Sequence, residues 1–285
     1  MTQHTLNPTQ HFIVIGNPIA HSKSPAIHQL FASQSGLTIS YQRQYCPDDA
    51  QSFQAVVEAF FNGGGVGANV TVPFKQVAYA QCQAQGSLSE HAKVAGAVNT
   101  ILIKDSALYG DNTDGQGLVN HMIRLGWPLT DARVAIIGAG GAARGVILPL
   151  IEAGIGALTL ANRTESRAQD LASELSAASS VINNHKITSC ETSKLTGDFD
   201  LIINATSIGL TGDTLPLCAD LTSGYVYDMM YGRELPFLQH FVARGAQVSN
   251  GFGMLIGQAA LSFERWTGHT VDVDGATTAL QASAN

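Results

Sequence analysis

The chain has 285 residues, which is enough for two domains that each bury a sizeable core. Apolar residues make up 45% of it and charged residues only 13%, a balance that is typical of an α/β enzyme and excludes a disordered chain. The net charge of −7 argues against general nucleic-acid binding, so an anionic ligand must be held by local positive groups.

The first part of the chain alternates between predicted strands and predicted helices. Short apolar runs predict strands at Phe12–Gly16, Ser40–Tyr45, Gly67–Val72 and Ala97–Lys104. Apolar residues at helical spacing predict helices at Pro25–Ser33, Asp49–Phe61 and Phe74–Gln83. This pattern predicts a first α/β domain that closes near Asp111, and a helix at Asp114–Leu125 that links it to the next domain.

The second part begins with an apolar run from Arg133 and repeats the alternation. Further strands are predicted at Ala157–Ala161, Lys186–Ser189, Leu201–Ala205 and Tyr225–Asp228. Helices are predicted at Glu165–Leu175, Leu235–Ala243 and Met254–Trp266, with a shorter one from Asp274. The predicted fold is α/β, with parallel sheets in both domains, the first at 1–111 and the second at 112–250. Ligands are expected beyond the carboxyl ends of the strands, in the cleft between the domains.

Two serines follow the first predicted strand. Ser22 and Ser24 place two hydroxyls at a predicted strand-to-helix turn. Together with the free N–H groups of a helix start, such a pair would hold a carboxylate. Ser24 also precedes Pro25, so an alternative is that Ser24 simply caps the helix.

A lysine stands where a helix is predicted to start. Thr71 and Lys75 follow the third predicted strand, and Lys75 lies near the beginning of the helix after Pro73. The helix dipole disfavours a cation at this end, so the placement favours a role in acid–base chemistry. The alternative is a solvated surface lysine.

Two further polar residues lie near the end of the first domain. Asn99 falls inside a predicted strand, where asparagine is disfavoured, so either a side-chain function or a strand-end hydrogen bond is expected. Asp114 belongs to the polar, glycine-rich segment Gly110–Gly117 at the domain junction, and its alternative role is to cap the next helix.

The apolar run from Arg133 ends in a G-x-G-x-x-A motif. Gly138 suits the backbone angles of a tight turn, Gly140 lets the main chain approach a pyrophosphate, and Ala143 lets the helix lie close to the strand. The helix start also offers N–H groups to phosphates. The motif predicts dinucleotide binding; the alternative is a glycine turn in an ordinary α/β unit.

The next strand ends without an acidic residue. NAD-binding proteins usually place Asp or Glu here, whereas this chain has none from Ala153 through Thr164 and instead has Arg163 and Arg167. Guanidinium groups hold a 2′-phosphate that a carboxylate would repel. The predicted cofactor is therefore NADP(H), and the alternative is that both arginines are solvated surface charges.

Other site classes have little support in the sequence. The four cysteines are scattered without zinc-site spacing, and the histidines form no catalytic set, so no metal is predicted. The start of the chain does not resemble a signal peptide, and no apolar run is long enough to span a membrane. A cytoplasmic protein with reduced thiols is expected.

Taken together, these segments resemble the shikimate dehydrogenase family over nearly the whole chain. The matching segments are Gly16–Pro25, Asn69–Lys75, Gly96–Thr100, Gly110–Gly115, Gly138–Ala143, Asn162–Thr164, Asn204–Ser207, Tyr227–Tyr231 and Gly251–Leu255. The resemblance implies reversible reduction of 3-dehydroshikimate to shikimate with NADPH, in aromatic biosynthesis. It also implies that the first domain, at 1–111, is the substrate domain and is completed by C-terminal helices at 251–285, and that the second, at 112–250, is a Rossmann-type dinucleotide-binding domain. The protein is further implied to be a monomer or homodimer with a small-molecule substrate.

The resemblance further implies roles for individual residues. Lys75 and Asp114 correspond to the catalytic pair. Substrate-binding positions are Ser22, Ser24, Thr71, Asn99, Tyr231 and Gln258. Cofactor-binding positions are Gly138, Ala139, Gly140, Gly141, Ala142, Asn162, Arg163, Thr164, Arg167, Met229 and Gly251.

Two other functions remain compatible with the sequence. One is a quinate/shikimate dehydrogenase that uses NAD, against which the arginines after the second Rossmann strand argue. The other is a non-catalytic nucleotide-binding sensor, which would be expected to lose its proton-handling groups, although Lys75 and Asp114 are both present.

Overall fold

The computed structural model describes residues 8–208 and 215–282, and the chain forms two compact units. The first unit runs to Thr113 and resumes at Ile256, while the second comprises Asp114–Leu255. The predicted boundaries, at 111/112 and 250/251, lie within a few residues of these junctions. The first unit is therefore discontinuous in sequence, and its last part comes from the C-terminal helices.

The part of the first unit that the structure describes contains six strands. They are β1 (Gln10–Gly16), β2 (Ile39–Tyr45), β3 (Gly67–Val70), β4 (Gly86–Leu88), β5 (Thr100–Lys104) and β6 (Ala107–Asp111). Its helices are α1 (Ser24–Ser35), α2 (Ala50–Asn62), α3 (Lys75–Gln85) and α4 (Glu90–Ala95). Helix α10 (Phe252–Thr267) begins in the second unit and continues into the first, where α11 (Val273–Ala282) follows it. The sequence did not predict β4, α4 or β6, which are all short.

The sheet of the first unit has the order β2-β1-β3-β5-β6-β4 and is mainly parallel, as predicted. Strand β5 is the exception, because it runs antiparallel to both β3 and β6. A two-residue turn joins β5 to β6: Asp105 and Ser106 have φ of 53° and 63°, the backbone of a type I′ hairpin, so β6 returns antiparallel to β5.

The reversal of β5 changes the position of Asn99. The carboxyl ends of β1, β2 and β3 lie at one edge of the sheet, and the antiparallel β5 begins at that same edge. Asn99 directly precedes Thr100, the first residue of β5, so the prediction that it lies inside a strand is wrong. The amide is instead placed at the edge where the ends of the parallel strands converge.

The second unit opens with α5 (Asp114–Arg124) and has an all-parallel sheet. Its strands are β7 (Arg133–Ile137), β8 (Ala157–Asn162), β9 (Ile187–Glu191), β10 (Gly197–Asn204), β11 (Leu221–Asp228) and β12 (Gln247–Asn250). Its other helices are α6 (Gly141–Glu152), α7 (Glu165–Ala178), α8 (Ser180–Asn183) and α9 (Pro236–Val242), with a 3-10 turn at Thr192–Lys194.

The strand order β12-β11-β10-β7-β8-β9 is that of a Rossmann fold. The order reverses between β7 and β10, which is where doubly wound sheets bind their ligands. The predicted α/β class and Rossmann-type domain are thus confirmed, although β12 was not predicted. In the part of the chain that the structure describes, no helix is both long and apolar enough to cross a bilayer.

An aromatic cluster containing a buried histidine fills one face of the first sheet. His28 of α1 is fully buried and stacks on Tyr41 with ring centroids 4.3 Å apart. Phe31 and Trp266 lie 5.8 and 5.3 Å from the same ring. Burial lowers the pKa of His28 to about 3, so the imidazole is neutral in the folded protein at ordinary pH.

This histidine predicts a loss of stability in mild acid. The unfolded chain binds a proton on His28 below a pKa of about 6.5, whereas the folded chain does not until about pH 3, so acid favours unfolding. Between pH 7 and pH 5 we expect His28 alone to lower the free energy of unfolding by about 2 kcal/mol. Urea titrations of the parent and of His28→Leu at both pH values measure this. The variant should lose about 2 kcal/mol less than the parent, and equal losses would contradict the assignment.

Candidate active site

The carboxyl ends of β1 and β3 are in contact with each other. Gly16 approaches Thr71 so closely that a Cβ at Gly16 would lie 2.5 Å from the Thr71 methyl carbon. The Asn17 N–H also donates to the Val72 carbonyl at 3.0 Å. Thr71 is half-buried here, and the segments that carry Ser22 and Lys75 begin from these two strand ends.

The two predicted carboxylate-binding hydroxyls lie together. The Ser22 hydroxyl donates to the Ser24 Oγ at 3.2 Å, and the Ser24 N–H donates to the Ser22 Oγ at 3.3 Å. Helix α1 starts at Ser24 itself, follows Lys23, and has no side-chain cap. The alternative in which Ser24 caps the helix is therefore wrong, because its hydroxyl is paired with Ser22 and not with the helix backbone.

The amide of Asn99 has a defined orientation. The backbone N–H of Thr113 donates to the Asn99 side chain at 2.9 Å. Of the two terminal atoms of the amide, only the carbonyl oxygen Oδ1 can accept, so Oδ1 is the atom that points at Thr113. The Thr100 hydroxyl donates to the same Oδ1 at 2.9 Å. Both lone pairs of Oδ1 are thus used, so a ligand could bind this amide only at Nδ2, in place of one of the partners that Nδ2 has in this structure.

Helix α10 brings Gln258 to Asn99. The Asn99 Nδ2 lies 3.3 Å from the Gln258 Oε1, so these two predicted substrate-binding residues are neighbours. Thr113 holds the pair in place: its hydroxyl accepts from the Asn99 Nδ2 at 3.0 Å and donates to the Gln258 carbonyl at 3.0 Å. The sequence did not single out Thr113, although it lies in the polar segment beside Asp114.

A second layer of buried polar groups lies behind Asn99. The Thr100 hydroxyl and the Ser262 hydroxyl are 2.7 Å apart, and the Asn69 Nδ2 donates to Ser262 at 3.1 Å and to the Asn99 carbonyl at 3.1 Å. Tyr41 donates its hydroxyl to the Asn69 Oδ1 at 2.7 Å. Ser262 was not predicted from the sequence, although it lies one helical turn after Gln258 on a largely apolar helix.

Lys75 is the first residue of α3 and is half-buried. Its carbonyl accepts a hydrogen bond of 2.9 Å from the Val98 N–H, so the start of α3 is fastened to the segment that leads to Asn99. The helix start has no side-chain cap. The predicted placement of a lysine at a helix N-terminus is therefore confirmed, while its chemical role stays a prediction.

A buried ion pair holds the segment that precedes Asp114. Asp111 is fully buried and pairs with Arg265 of α10. The Asp111 carboxylate also accepts from the Ser89 hydroxyl at 2.5 Å and from the Asn112 N–H at 2.8 Å. Asp114 is the first helical residue of α5 and belongs to the second unit, so it does not occupy the flanking cap position that was the alternative.

In the second unit, the turn after β7 has the features expected of a dinucleotide-binding loop. Gly138 has φ of +118° and lies against the Ala205 carbonyl, and Ala143 is fully buried beneath the helix. A Cβ at Gly140 or Gly141 would meet no described atom within 4 Å, so the backbone there faces open space. Helix α6 starts at Gly141 without a side-chain cap, which leaves its N–H groups directed at that space.

A cavity of about 400 Å³ lies beyond the end of β8. Four predicted cofactor residues line it, namely Asn162, Arg163, Thr164 and Arg167. The remaining lining comes from residues that carry no predicted role: Thr192, Thr206, Ser207, Ile208, Leu215 and Pro216. Two arginines, several hydroxyls and no Asp or Glu among these described residues suit a phosphate monoester.

The remaining predicted residues of the second unit lie after β11. A Cβ at Gly251 would collide with the Met229 carbonyl, and the Gly251 N–H donates to the Met230 carbonyl at 3.0 Å, so Met229 and Gly251 are in contact. Tyr231 packs on Phe252 with ring centroids 6.0 Å apart, and burial raises the pKa of its phenol. Within residues 8–208 and 215–282, no group of three or more His, Cys, Asp or Glu side chains could hold a metal ion.

Three protein-family models match the chain. Residues 14–101 match the shikimate dehydrogenase substrate binding domain, 122–210 match shikimate/quinate 5-dehydrogenase, and 251–281 match the shikimate 5'-dehydrogenase C-terminal domain. The matches therefore cover both units and the C-terminal helices.

Individual relatives agree with the family models. The chain is 71% identical to "Shikimate dehydrogenase (NADP(+))" of Psychrobacter arcticus over 97% of this chain and 99% of that protein. Among solved structures, an Ael1 enzyme of Pseudomonas putida is 36% identical with a TM-score of 0.86, covering 95% of this chain and 98% of its own. Shikimate 5-dehydrogenase of Thermus thermophilus, in complex with NADP(H) and shikimate, is 33% identical with a TM-score of 0.81, covering 96% and 99%.

The Asp111–Arg265 pair yields a stability prediction. Arg265→Met leaves the buried Asp111 carboxylate without its cation, and we expect the free energy of unfolding to fall by about 2–3 kcal/mol. The double variant Arg265→Met/Asp111→Asn should regain most of this loss, because it leaves no uncompensated charge. Lys104→Met, which removes an exposed cation of the same unit, is the matched control and should change stability by about 0.5 kcal/mol or less. Equal urea midpoints for Arg265→Met and the control would contradict the prediction.

Proposed function

The chain belongs to the shikimate dehydrogenase family, and on that basis we infer that it catalyses the NADPH-dependent, reversible reduction of 3-dehydroshikimate to shikimate. It is an NADP-dependent oxidoreductase of the shikimate pathway, which leads to the aromatic amino acids. The observation that carries this conclusion is the full-length identity of 71% to a shikimate dehydrogenase (NADP(+)), together with a cofactor turn followed by an arginine-lined cavity.

The residues of the second unit fit NADP(H). When bound, the cofactor supplies or accepts the hydride. The N–H groups at the start of α6 would hold its pyrophosphate, and Gly138 and Gly140 keep the backbone there free of side chains. Arg163 and Arg167 would hold the 2′-phosphate in the cavity beyond β8. Met229 and Gly251 are proposed to line the remainder of the cofactor site.

The polar residues at the edge of the first sheet are suited to shikimate, a ring with one carboxylate and several hydroxyls. We assign the carboxylate to Ser22 and Ser24, whose hydroxyls are adjacent and at an uncapped helix start. Asn99 would donate through Nδ2 to a ring oxygen, with Gln258 and Thr71 beside it. Tyr231, in the second unit, is proposed as a further substrate residue because it matches a substrate position of the family, and its phenol can donate a hydrogen bond.

Lys75 and Asp114 are assigned to proton transfer. Negative charge develops on the carbonyl oxygen of the substrate during reduction, and a cation that also carries a proton stabilises it and completes the alcohol. Lys75, at the start of α3, is suited to this task, and in the reverse direction it accepts the proton. Asp114 is assigned to orienting the ammonium group and to a neighbouring substrate hydroxyl.

The two alternative functions are less well supported. Use of NAD in place of NADP would favour a carboxylate near the end of β8, and the lining residues that the structure describes there include no Asp or Glu. A non-catalytic sensor would not need Lys75 and Asp114, which are both retained. We also propose a cytoplasmic location on the basis of four unpaired thiols, and a monomer or homodimer as the assembly.

One assay tests the function directly. Purified protein with shikimate and NADP⁺ should produce NADPH, measured as absorbance at the nicotinamide band. Substitution of quinate for shikimate, and of NAD⁺ for NADP⁺, should each lower kcat/KM. Absence of turnover with shikimate, in protein that binds NADP⁺, would favour the sensor.

The assignment of Lys75 and Asp114 predicts a specific pattern of kinetic losses. Lys75→Ala should lower kcat by roughly 10²–10⁴, the usual contribution of a positioned acid or base, while NADP⁺ binding persists. Asp114→Asn should also lower kcat. If both groups serve one step, the double variant loses less than the product of the single losses.

The four proteins of this cycle are compared for kcat at one pH, with circular dichroism to establish that each is folded. Lys75→Met serves as a second variant, since it keeps the length and helix propensity of the side chain. Strictly multiplicative losses would separate the two roles. A variant lacking Lys75 that turns over shikimate at the parent rate would remove Lys75 from the mechanism.

The arginine cavity predicts the cofactor preference. Arg163→Ala should weaken NADP⁺ binding by about 1.5–3 kcal/mol, the scale of a hydrogen bond to a charged group, with little effect on NAD⁺. Titration of intrinsic fluorescence or calorimetry with each cofactor measures both affinities. Arg133→Ala, an arginine of the same unit at the start of β7, is the matched control. Equal losses for NADP⁺ and NAD⁺ would show that Arg163 does not recognise the 2′-phosphate.

A further inference from the structure

Arg43, which is not among the predicted site residues, forms hydrogen bonds with the turn that carries Ser22 and Ser24, the proposed carboxylate-binding turn. Arg43 lies on β2, which is the outermost strand of the sheet and is paired with β1. In this pairing, Arg43 lies opposite Val14. Side chains alternate along a strand, so Arg43 lies on the same face as Tyr41, which packs against His28 of α1. This places Arg43 on the α1 face, two residues from the carboxyl end of β2.

The guanidinium of Arg43 forms two hydrogen bonds with one atom of the turn, the Ser22 carbonyl oxygen. Its Nε and Nη2 donate to the Ser22 carbonyl oxygen at 3.0 and 2.7 Å. Two donors on one oxygen fix both the position of the Ser22 backbone and the orientation of the guanidinium plane. The same Ser22 presents its hydroxyl to Ser24 at 3.2 Å, so the residue that Arg43 anchors is the one that begins the hydroxyl pair.

The charge of Arg43 also bears on what this turn binds. The carbonyl oxygen and the hydroxyl belong to one residue, so an anion on the Ser22 hydroxyl lies within about one Debye length of the guanidinium, about 8 Å in physiological salt. Arginine keeps its charge at every relevant pH, and the two hydrogen bonds use two of its five donors. In a chain of net charge −7, a cation held at this turn changes the local potential in favour of an anion.

We propose that Arg43 is a specificity-determining residue of the substrate site: it positions Ser22 through its carbonyl and, beside Lys23 of the same turn, supplies positive charge that selects a carboxylate over an uncharged group. The proposal rests on the proposed function, because it takes the Ser22–Ser24 turn as the place where shikimate binds its carboxylate. It assigns recognition to Arg43 and leaves hydride and proton transfer to other groups. The expected effect is therefore on KM for shikimate and on discrimination between substrates.

The test compares shikimate with its methyl ester, which has the same ring and no negative charge. In the parent, kcat/KM should favour shikimate. Arg43→Met should raise KM for shikimate by about fivefold to tenfold, with kcat and the KM for NADP⁺ within about twofold of the parent. The same variant should lower the ratio of kcat/KM for shikimate over the ester by a similar factor. Arg43→Lys keeps the charge and loses the two-donor geometry, so it should retain more of the discrimination.

Matched measurements separate this role from a purely structural one. Lys104→Met removes an exposed cation of the same unit and should leave both substrates unaffected. Thermal unfolding of each variant establishes that it is folded. If Arg43→Met slows shikimate and its ester equally, Arg43 only supports the fold and the proposal is overturned, as it is if the variant has the parent's KM for shikimate. Absence of shikimate turnover by the parent would instead overturn the proposed function.

Discussion

The hydrogen bonds that join α10 to the first sheet are the constraint on which the proposed substrate site depends. The Ser262 hydroxyl meets Thr100 at 2.7 Å and accepts from Asn69 at 3.1 Å, and all three side chains are buried. Buried polar groups without partners destabilise a fold, so β3 and β5 require α10 to satisfy them. Trp266 adds a hydrogen bond to the Ile101 carbonyl at 3.1 Å. The first 113 residues therefore complete their core only when the last part of the chain has packed against them.

This dependence explains which features of the site could be predicted from sequence. The turn after β7 is built from consecutive residues, Gly138 to Ala143, so one short segment was enough to predict both the tight turn and dinucleotide binding. The arginines after β8 were found in the same way, since Arg163 and Arg167 follow a strand end that lacks an acid. Ser262 and Arg265, in contrast, act on residues about 150 positions earlier in the chain. Periodicity within a helix does not indicate which distant strand it will contact.

Strand direction set a second limit on prediction. The sequence placed Asn99 inside a strand because Ala97–Lys104 is apolar enough to continue one. In the structure, a type I′ turn at Asp105–Ser106 pairs β5 with β6, and the antiparallel β5 begins only at Thr100. Such turns usually contain Asn-Gly or Asp-Gly, so Asp-Ser gave a weak signal. Sheet order was a further limit. Thr192 and Thr206 follow β9 and β10, and their placement in the cavity beyond β8 depends on the order of these strands in the sheet, so the sequence did not predict it.

The rigidity of Asn99 has a consequence for selectivity. Its Oδ1 accepts from the Thr113 N–H and the Thr100 hydroxyl, so the side chain cannot flip to present an oxygen. In the proposed site, a ligand that replaces the Gln258 Oε1 at Nδ2 must offer an acceptor, which a ring hydroxyl does and a methylene does not. Sites built around a fixed, buried hydrogen-bond donor reject analogues that lack the partner far more strongly than apolar pockets reject a missing methylene. If Asn99 binds the substrate as proposed, the buried groups behind it would contribute to substrate choice without contacting the substrate, because they determine which atom of the amide faces the ligand.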